Sequence, residues 1–272
     1  RALLDSGKLA RMIKEDGLRG VTSNPTIFEK AIGASHDYDE AIRRLAAQGK
    51  TPLEIFEGLA LDDIRAAADL FKPLFEETQG ADGYVSLELP PALAREAKGI
   101  HAEALRLFKL VGRPNVMIKI PGTIEGVTAF ERATADGVPV NVTLLFSQQR
   151  YALVAEAYLR GLEARAKRKK DLSRVASVAS FFVSRVDTRI DQMLEAAGSP
   201  AAKALRGKAA VANAKLAYQH YKKEFGSARF AKLQDAGARP QRLLWASTVT
   251  KNPSYRDVVY VEELIGPDTV DT

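Results

Sequence analysis

The sequence predicts an α/β fold of the parallel-barrel type, a (β/α)8 TIM barrel, on three observations. Short β-branched runs alternate with longer stretches rich in Ala, Leu, Glu and Arg along the whole length. Parallel strands need a crossover helix between them, so this alternation implies a parallel sheet. The second observation is that no G-x-G-x-x-G or G-x-x-x-x-G-K-[ST] motif occurs, whereas an open doubly wound sheet usually carries a Gly-rich phosphate turn after its first strand. The third is that Glu88 and Lys119 fall in mid-strand. A sheet covered by helices on both faces would not tolerate them. In a barrel the second face of each strand points into the lumen, and its C-terminal end forms the mouth.

Strands are expected near 18–23, 84–89, 116–120, 140–146, 175–183, 243–247 and 258–264. In the second, Val85, Leu87 and Leu89 share one face and Tyr84, Ser86 and Glu88 the other. In the third, Val116, Ile118 and Ile120 oppose Met117 and Lys119; in the fourth, Val140, Val142, Leu144 and Phe146 oppose Asn141, Thr143 and Leu145. One purely apolar face per strand suits a layer covered by helices. Between the strands, Ile64, Ala67, Ala68, Phe71 and Phe75 fall at helical spacing within 60–75. A second helix begins after Ser147, a predicted N-cap, and lines up Tyr151, Val154, Tyr158 and Leu162. The basic run from Arg165 to Lys170 reads as a solvated helix C-terminus that complements the dipole.

With 272 residues, of which 46% are hydrophobic and 27% charged, the chain has apolar material for one large core. Its length fits a barrel of roughly 250 residues. No glycine/serine-rich linker divides it, so residues 1–272 are expected to form a single domain. The 40 Lys+Arg against 34 Asp+Glu give a formal charge of +6, a weak preference for anionic ligands rather than the signature of a nucleic-acid binder. Cysteine is absent, which excludes disulfides, thiolate metal sites and a Cys nucleophile and fits a reducing compartment, the cytoplasm. The three histidines are scattered, so no metal site is expected. No run approaches the ~20 apolar residues of a membrane span.

Lys119 is the sharpest functional candidate. Lysine is rarely buried unless paired or functional, and an amine inside an apolar barrel is a nucleophile that forms a Schiff base with a carbonyl substrate. The alternative is a lumen ion pair with Glu88, which is costly because both charges must be desolvated. Glu88 and Thr143 on flanking strands could hold a water and relay protons, although Thr143 could equally be a β-branched strand filler. Asn24, in Thr22-Ser23-Asn24-Pro25, serves either to bond substrate hydroxyls or as the turn residue before a proline. Two late strand ends suit an anion. In one, Ser180 and Phe182 share a face with Arg185 just beyond; the other ends in Ser247, Thr248, Thr250 and Lys251. Arg185 matches phosphate geometry and Lys251 offers a point charge, with surface loop cations as the plain alternative.

The segments Gly20-Val21-Thr22-Ser23-Asn24-Pro25-Thr26, Val116 to Pro121, Asn141 to Ser147 and Ser180 to Arg185, with Trp245 to Thr248 and Asn252-Pro253, resemble the transaldolase family nearly end to end. The likeness is greatest to its longer bacterial members, some of which are fused to a glucose-6-phosphate isomerase domain. The resemblance implies Schiff-base catalysis without cofactor or metal, in the non-oxidative pentose phosphate pathway. A dihydroxyacetone unit would pass from sedoheptulose 7-phosphate to glyceraldehyde 3-phosphate, giving erythrose 4-phosphate and fructose 6-phosphate. Lys119 falls on the family's Schiff-base lysine, and Glu88 and Thr143 on the pair that handles the catalytic water. Thr22, Asn24, Asn141, Ser180 and Phe182 match donor contacts, and Arg185 and Ser247 phosphate contacts. Some relatives carry an arginine where Val249 stands here, and Lys251 is expected to supply that charge. The family's first strand, with an acid/base Asp, and its C-terminal helix are expected to lie outside this chain. The partners implied are sugar phosphates, neither nucleic acid nor membrane, for a monomer or homodimer. The alternatives are a related fructose-6-phosphate-type aldolase and a non-catalytic sugar-phosphate-binding barrel.

Overall fold

Parallel pairing accounts for the strand–helix alternation. The computed structural model describes residues 1–272 and divides into two compact units, residues 1–93 with 102–119 and residues 94–101 with 120–272. Among its helices none is long and apolar enough to cross a membrane.

The first unit opens with helices α1 (Ala2–Asp5) and α2 (Lys8–Glu15) and strand β1 (Gly20–Thr22). Helices α3 (Pro25–Gly33), α4 (Asp39–Ala47) and α5 (Pro52–Glu77) follow, then β2 (Tyr84–Glu88), α6 (Ala97–Val111) and β3 (Val116–Pro121), the last two crossing the boundary between units. Local chemistry sets these limits. Asn24 caps α3 by accepting from Ile27 N at 2.9 Å, with Pro25 at the first helical position. Thr51 and Glu54 form a capping box at the start of α5. The predicted apolar face of α5 is buried at Ile64, Ala67, Ala68 and Phe71. Phe75 is only half-buried and meets Tyr84 edge-on. Strands β1 and β2 run parallel, as do β2 and β3, in a register that sets Glu88 beside Lys119. At the base of β3, buried Asn115 donates from its amide nitrogen to Ala68 O at 2.8 Å and Gly83 O at 2.9 Å.

The second unit continues with α7 (Ile124–Asp136), β4 (Val140–Leu145), α8 (Gln148–Lys167), β5 (Ser177–Phe182) and α9 (Ser184–Ala197). It closes with α10 (Pro200–Lys203), α11 (Ala209–Phe225), α12 (Ala228–Asp235), β6 (Arg242–Ala246), α13 (Val259–Leu264) and β7 (Thr269–Asp271). Strands β4 to β7 pair in sequence order, all parallel. Thr123 caps α7 and Ser147 caps α8, the latter as predicted. Tyr151, Val154, Tyr158 and Leu162 are all fully buried on α8. Gly126 has to be a glycine, because a Cβ there would collide with the Pro121 carbonyl where α7 begins. The basic run ends α8 as expected, with Arg165 donating to Asp171 O at 2.7 Å and Arg168 paired with Asp136 at 2.9 Å.

Two expectations are corrected. Residues 258–264 are not a strand: Val258 is the N-cap of helix α13 (Val259–Leu264), and the seventh strand is β7, three residues long. Val258, Val259 and Val261 are β-branched, yet the buried residues are Tyr260 and Leu264, one helical turn apart. Burial of that stripe outweighs the local β preference. In β4 the alternation fails after Thr143. Leu144 adopts φ +63° and is 42% exposed, while Leu145 is 0% exposed, because the register shifts between Val142 and Leu145. A bulge of this kind exchanges the faces of the residues beyond it. With these corrections the fold is α/β of the TIM-barrel type, parallel strands alternating with helices.

Candidate active site

Lys119 stands near the C-terminal end of β3, on the face opposite Ile118 and Ile120, and is 8% exposed. Parallel register places Glu88 directly across from it, and Glu88 Oε2 lies 3.0 Å from the Lys119 amine. The amine also donates to the Ser23 carbonyl at 3.3 Å. Ser23 is itself fixed, since its hydroxyl donates to Ser86 O at 2.7 Å. Thr22, the last residue of β1, aligns with Ser86 of β2. Three neighbouring strand ends therefore converge on one primary amine. Asn24 spends its side-chain oxygen on the α3 cap, so the turn role is realised and its amide N–H group is what it offers a ligand. The sequence reading missed Ser23, whose contribution is a main-chain carbonyl and so leaves no side-chain signature.

In the second unit, Asn141 and Ser180 are joined side chain to side chain, the hydroxyl donating to Asn141 Oδ1 at 2.7 Å, and both are buried. Thr143 is 1% exposed, and its hydroxyl is buried with no hydrogen-bond partner within the protein. A buried hydroxyl left unpaired costs free energy, and such an exception points to a functional position. Phe182 lies against Phe146 with ring centroids 5.2 Å apart, and the Arg185 guanidinium stacks over it at 4.9 Å. That contact holds the guanidinium beside the ring, and a guanidinium so placed still has N–H donors for an anion.

Arg185 is the second residue of α9, where main-chain N–H groups and the helix dipole also favour negative charge. Ser247 lies immediately after β6 and adopts φ +60°, a conformation disfavoured for a non-glycine residue. It is held there from the start of α9: Ser184 N donates to Ser247 O at 3.1 Å, and the two hydroxyls lie 3.0 Å apart. Strain of this kind survives only where the surroundings over-determine it. Ser184 gives no signal in the sequence, where it looks like an ordinary helix-start serine.

Lys251 lines a cavity of about 250 Å³ whose wall also includes Asp187, Asp191, Glu195, Arg206 and Tyr255. Asp187 accepts from Ala210 N at 2.7 Å and the Tyr260 phenol at 2.8 Å. Asp191 accepts from Gly207 N at 3.0 Å and the Tyr255 phenol at 2.6 Å. Burial pushes the Asp187 carboxyl above the usual carboxylate range. Burial, then the Asp191 bond, pushes the Tyr255 phenol up to about 12. Tyr260 is raised well above its usual range by the same two causes, with Asp187 as its partner.

A family model described as Transaldolase/Fructose-6-phosphate aldolase matches residues 3–272. The chain is 53% identical over 272 residues to a transaldolase of Saccharopolyspora erythraea, covering 100% of this chain and 73% of that protein. It is 52% identical over 272 residues to a transaldolase of Thiobacillus denitrificans, covering 100% and 76%. A third relative, a transaldolase of Trichodesmium erythraeum, is 50% identical over 280 residues, covering 100% and 74%. A match across nearly the whole chain, with half of all residues shared, leaves one conclusion: this chain belongs to the Transaldolase/Fructose-6-phosphate aldolase family.

Proposed function

We propose that the chain catalyses the transaldolase reaction through a Schiff base on Lys119. It is an enzyme that transfers aldehyde or ketone groups, and its substrates are sugar phosphates. The observation that supports the Lys119 assignment is the buried amine 3.0 Å from the Glu88 carboxylate, at adjacent ends of parallel strands. Such strand ends are where barrel enzymes keep their chemistry.

In this reading Glu88 takes a proton from the Lys119 ammonium, and the free amine attacks C2 of the ketose phosphate. The carbinolamine loses its hydroxyl as water once protonated, Glu88 and the Thr143 hydroxyl serving as the relay. The resulting iminium is an electron sink, so C3–C4 cleaves when a base takes the C4 hydroxyl proton, releasing the aldose. The retained enamine then adds to the acceptor aldehyde. Hydrolysis of the new iminium frees the product and restores the lysine. The donor is sedoheptulose 7-phosphate and the acceptor glyceraldehyde 3-phosphate, giving erythrose 4-phosphate and fructose 6-phosphate. Thr22, Asn24, Asn141 and Ser180 are assigned to substrate hydroxyls and Phe182 to the pocket wall. Arg185 and Ser247 are assigned to the phosphate, with Lys251 as a supplementary charge. Holding the phosphate converts each addition into a positioned, near-unimolecular step. A single barrel domain, a cytoplasmic setting and a monomeric or homodimeric state belong to the same proposal.

Incubation with fructose 6-phosphate and borohydride tests the assignment. Reduction of the iminium adds the sugar mass to the peptide carrying Lys119. Unlabelled protein, or label on another lysine, overturns it. The family description also names fructose-6-phosphate aldolase, which releases free dihydroxyacetone. Turnover of fructose 6-phosphate without an acceptor aldehyde would favour that activity, whereas a transferase stalls after one equivalent of the first aldehyde has left.

A further inference from the structure

We propose that the paired bonds Asp191–Tyr255 and Asp187–Tyr260 position the segment after β6 for phosphate recognition, making Tyr255 and Tyr260 positioning residues for the reaction. The inference rests on the assignment of Arg185 and Ser247 to the phosphate.

Asp187 and Asp191 are one turn apart on α9, the helix that carries Arg185 in its first turn. In an exposed helix two such carboxylates would face water. Here they are 1% and 8% exposed, and each uses both oxygens on main-chain or phenol donors from later segments. One oxygen of each is spent on the start of α11. Lys208, the residue capping that helix, gives it no side-chain bond, so the Asp187 bond to Ala210 N does the capping from a distance. The other oxygens hold Tyr255 and Tyr260, both downstream of Ser247. The segment from Ser247 to Tyr260 is thus tied to α9 at both ends, by Ser184 at one and by the two aspartates at the other.

Within the segment, the buried Thr248 hydroxyl is also held, 3.0 Å from Asp271 Oδ1 and 2.7 Å from the Thr272 carbonyl, but past it the chain has little else. Residues 250–258 form no helix or strand, Val249 is 68% exposed, and Lys251, Pro253, Ser254, Arg256 and Asp257 are exposed. Nor is Ser247 in a conformation it would choose unaided. Buried carboxylate–phenol bonds are worth more than neutral ones and are costly to break on one side only. Their placement makes α9 a shared frame for Arg185 and for the Ser247 turn. Loosening the far tie leaves the amine chemistry alone but lets the phosphate-facing groups drift apart.

Tyr255→Phe removes one hydroxyl and keeps the half-buried ring. With fructose 6-phosphate as donor and an acceptor aldehyde present, the expected result is a KM raised about tenfold with kcat within about twofold, the signature of a lost charged hydrogen bond felt through binding. With unphosphorylated fructose as donor and erythrose as acceptor, a pair without phosphate, the low residual rate stays within about twofold of that of the unaltered enzyme. Asp191→Asn, which keeps an acceptor for Gly207 N, gives a smaller KM rise, and the double variant no more than the larger single effect. Tyr218→Phe, which deletes a phenol–carboxylate bond to Asp268 elsewhere, changes neither parameter. Equal losses with both donors, an unchanged KM, or additive effects of the two substitutions overturn the proposal. Borohydride labelling of the unaltered enzyme separates the two readings: no label defeats the Lys119 assignment, whereas normal label with an unmoved KM in Tyr255→Phe defeats this inference alone.

Discussion

The lysine end of β3 and the strained end of β6 are organised by different means. Around Lys119 the geometry follows from regular structure: parallel register puts Glu88 beside the amine, and the neighbouring strand end supplies a carbonyl. Around Ser247 almost nothing is regular. A left-handed serine, a helix start and a long segment without secondary structure are held by bonds between residues far apart in sequence. In the proposed reading, reaction chemistry is thus placed by the scaffold itself, and the anion grip by fastenings added to it. A periodic scaffold tolerates change at its fastenings, so substitutions at the two places should separate catalysis from recognition.

The sharpest way to break this comparison is Glu88→Gln. The amide fills the same space but takes no proton, so kcat should fall by about 10²- to 10⁴-fold, the usual worth of general acid–base catalysis, with little change in KM. Single-turnover kinetics should show the loss in iminium formation. A raised KM with normal kcat would mean that the carboxylate binds rather than relays. Arg185→Ala should do the reverse, raising KM for fructose 6-phosphate about 10- to 100-fold, as expected for lost charged hydrogen bonds. Arg185→Lys should recover only part of this, because an ammonium cannot reproduce the planar fork.

The smallest effect is one of pH. Burial, then the Asp191 bond, pushes the Tyr255 phenol up to about 12 in the folded protein, against about 10 for an unperturbed phenol. Its folded pKa is raised, so the stability linked to it is fully present below pH 10 and is lost as pH rises from about 10 toward 12. In Tyr255→Phe the thermal midpoint should therefore decline less steeply across that window than in the unaltered protein. Parallel declines would place the phenol's tie to Asp191 in doubt.

The same contrast governs what could be seen from the sequence. Strand parity alone puts Glu88 and Lys119 on the non-apolar face, and the order of strands and helices follows from periodicity. The bulge in β4 could not be anticipated, because nothing in Thr143-Leu144-Leu145 marks where alternation breaks. The segment 258–264 misleads for a related reason: its β-branched residues suit a strand until the burial of Tyr260 and Leu264 selects a helix. Asp187 and Asp191 are invisible for a third reason. Two acids a turn apart look like a solvated helix face, and only the three-dimensional arrangement of Ala210, Gly207 and the two tyrosines reveals them as buried acceptors. The sequence reports periodicity well and long-range side-chain pairing poorly.

Asn115 carries one last consequence. Its side-chain amide bonds a carbonyl of α5 and another just before β2, while its own carbonyl receives Val85 N. It behaves as a spare peptide unit, darning helix and strand together at the end of β3 remote from Lys119. The strand that carries Lys119 is therefore moored at the end remote from the amine as well as at the amine itself, where Glu88 and the Ser23 carbonyl hold it. Selection can reshape the rim for a new sugar without touching the keel that keeps the chain folded.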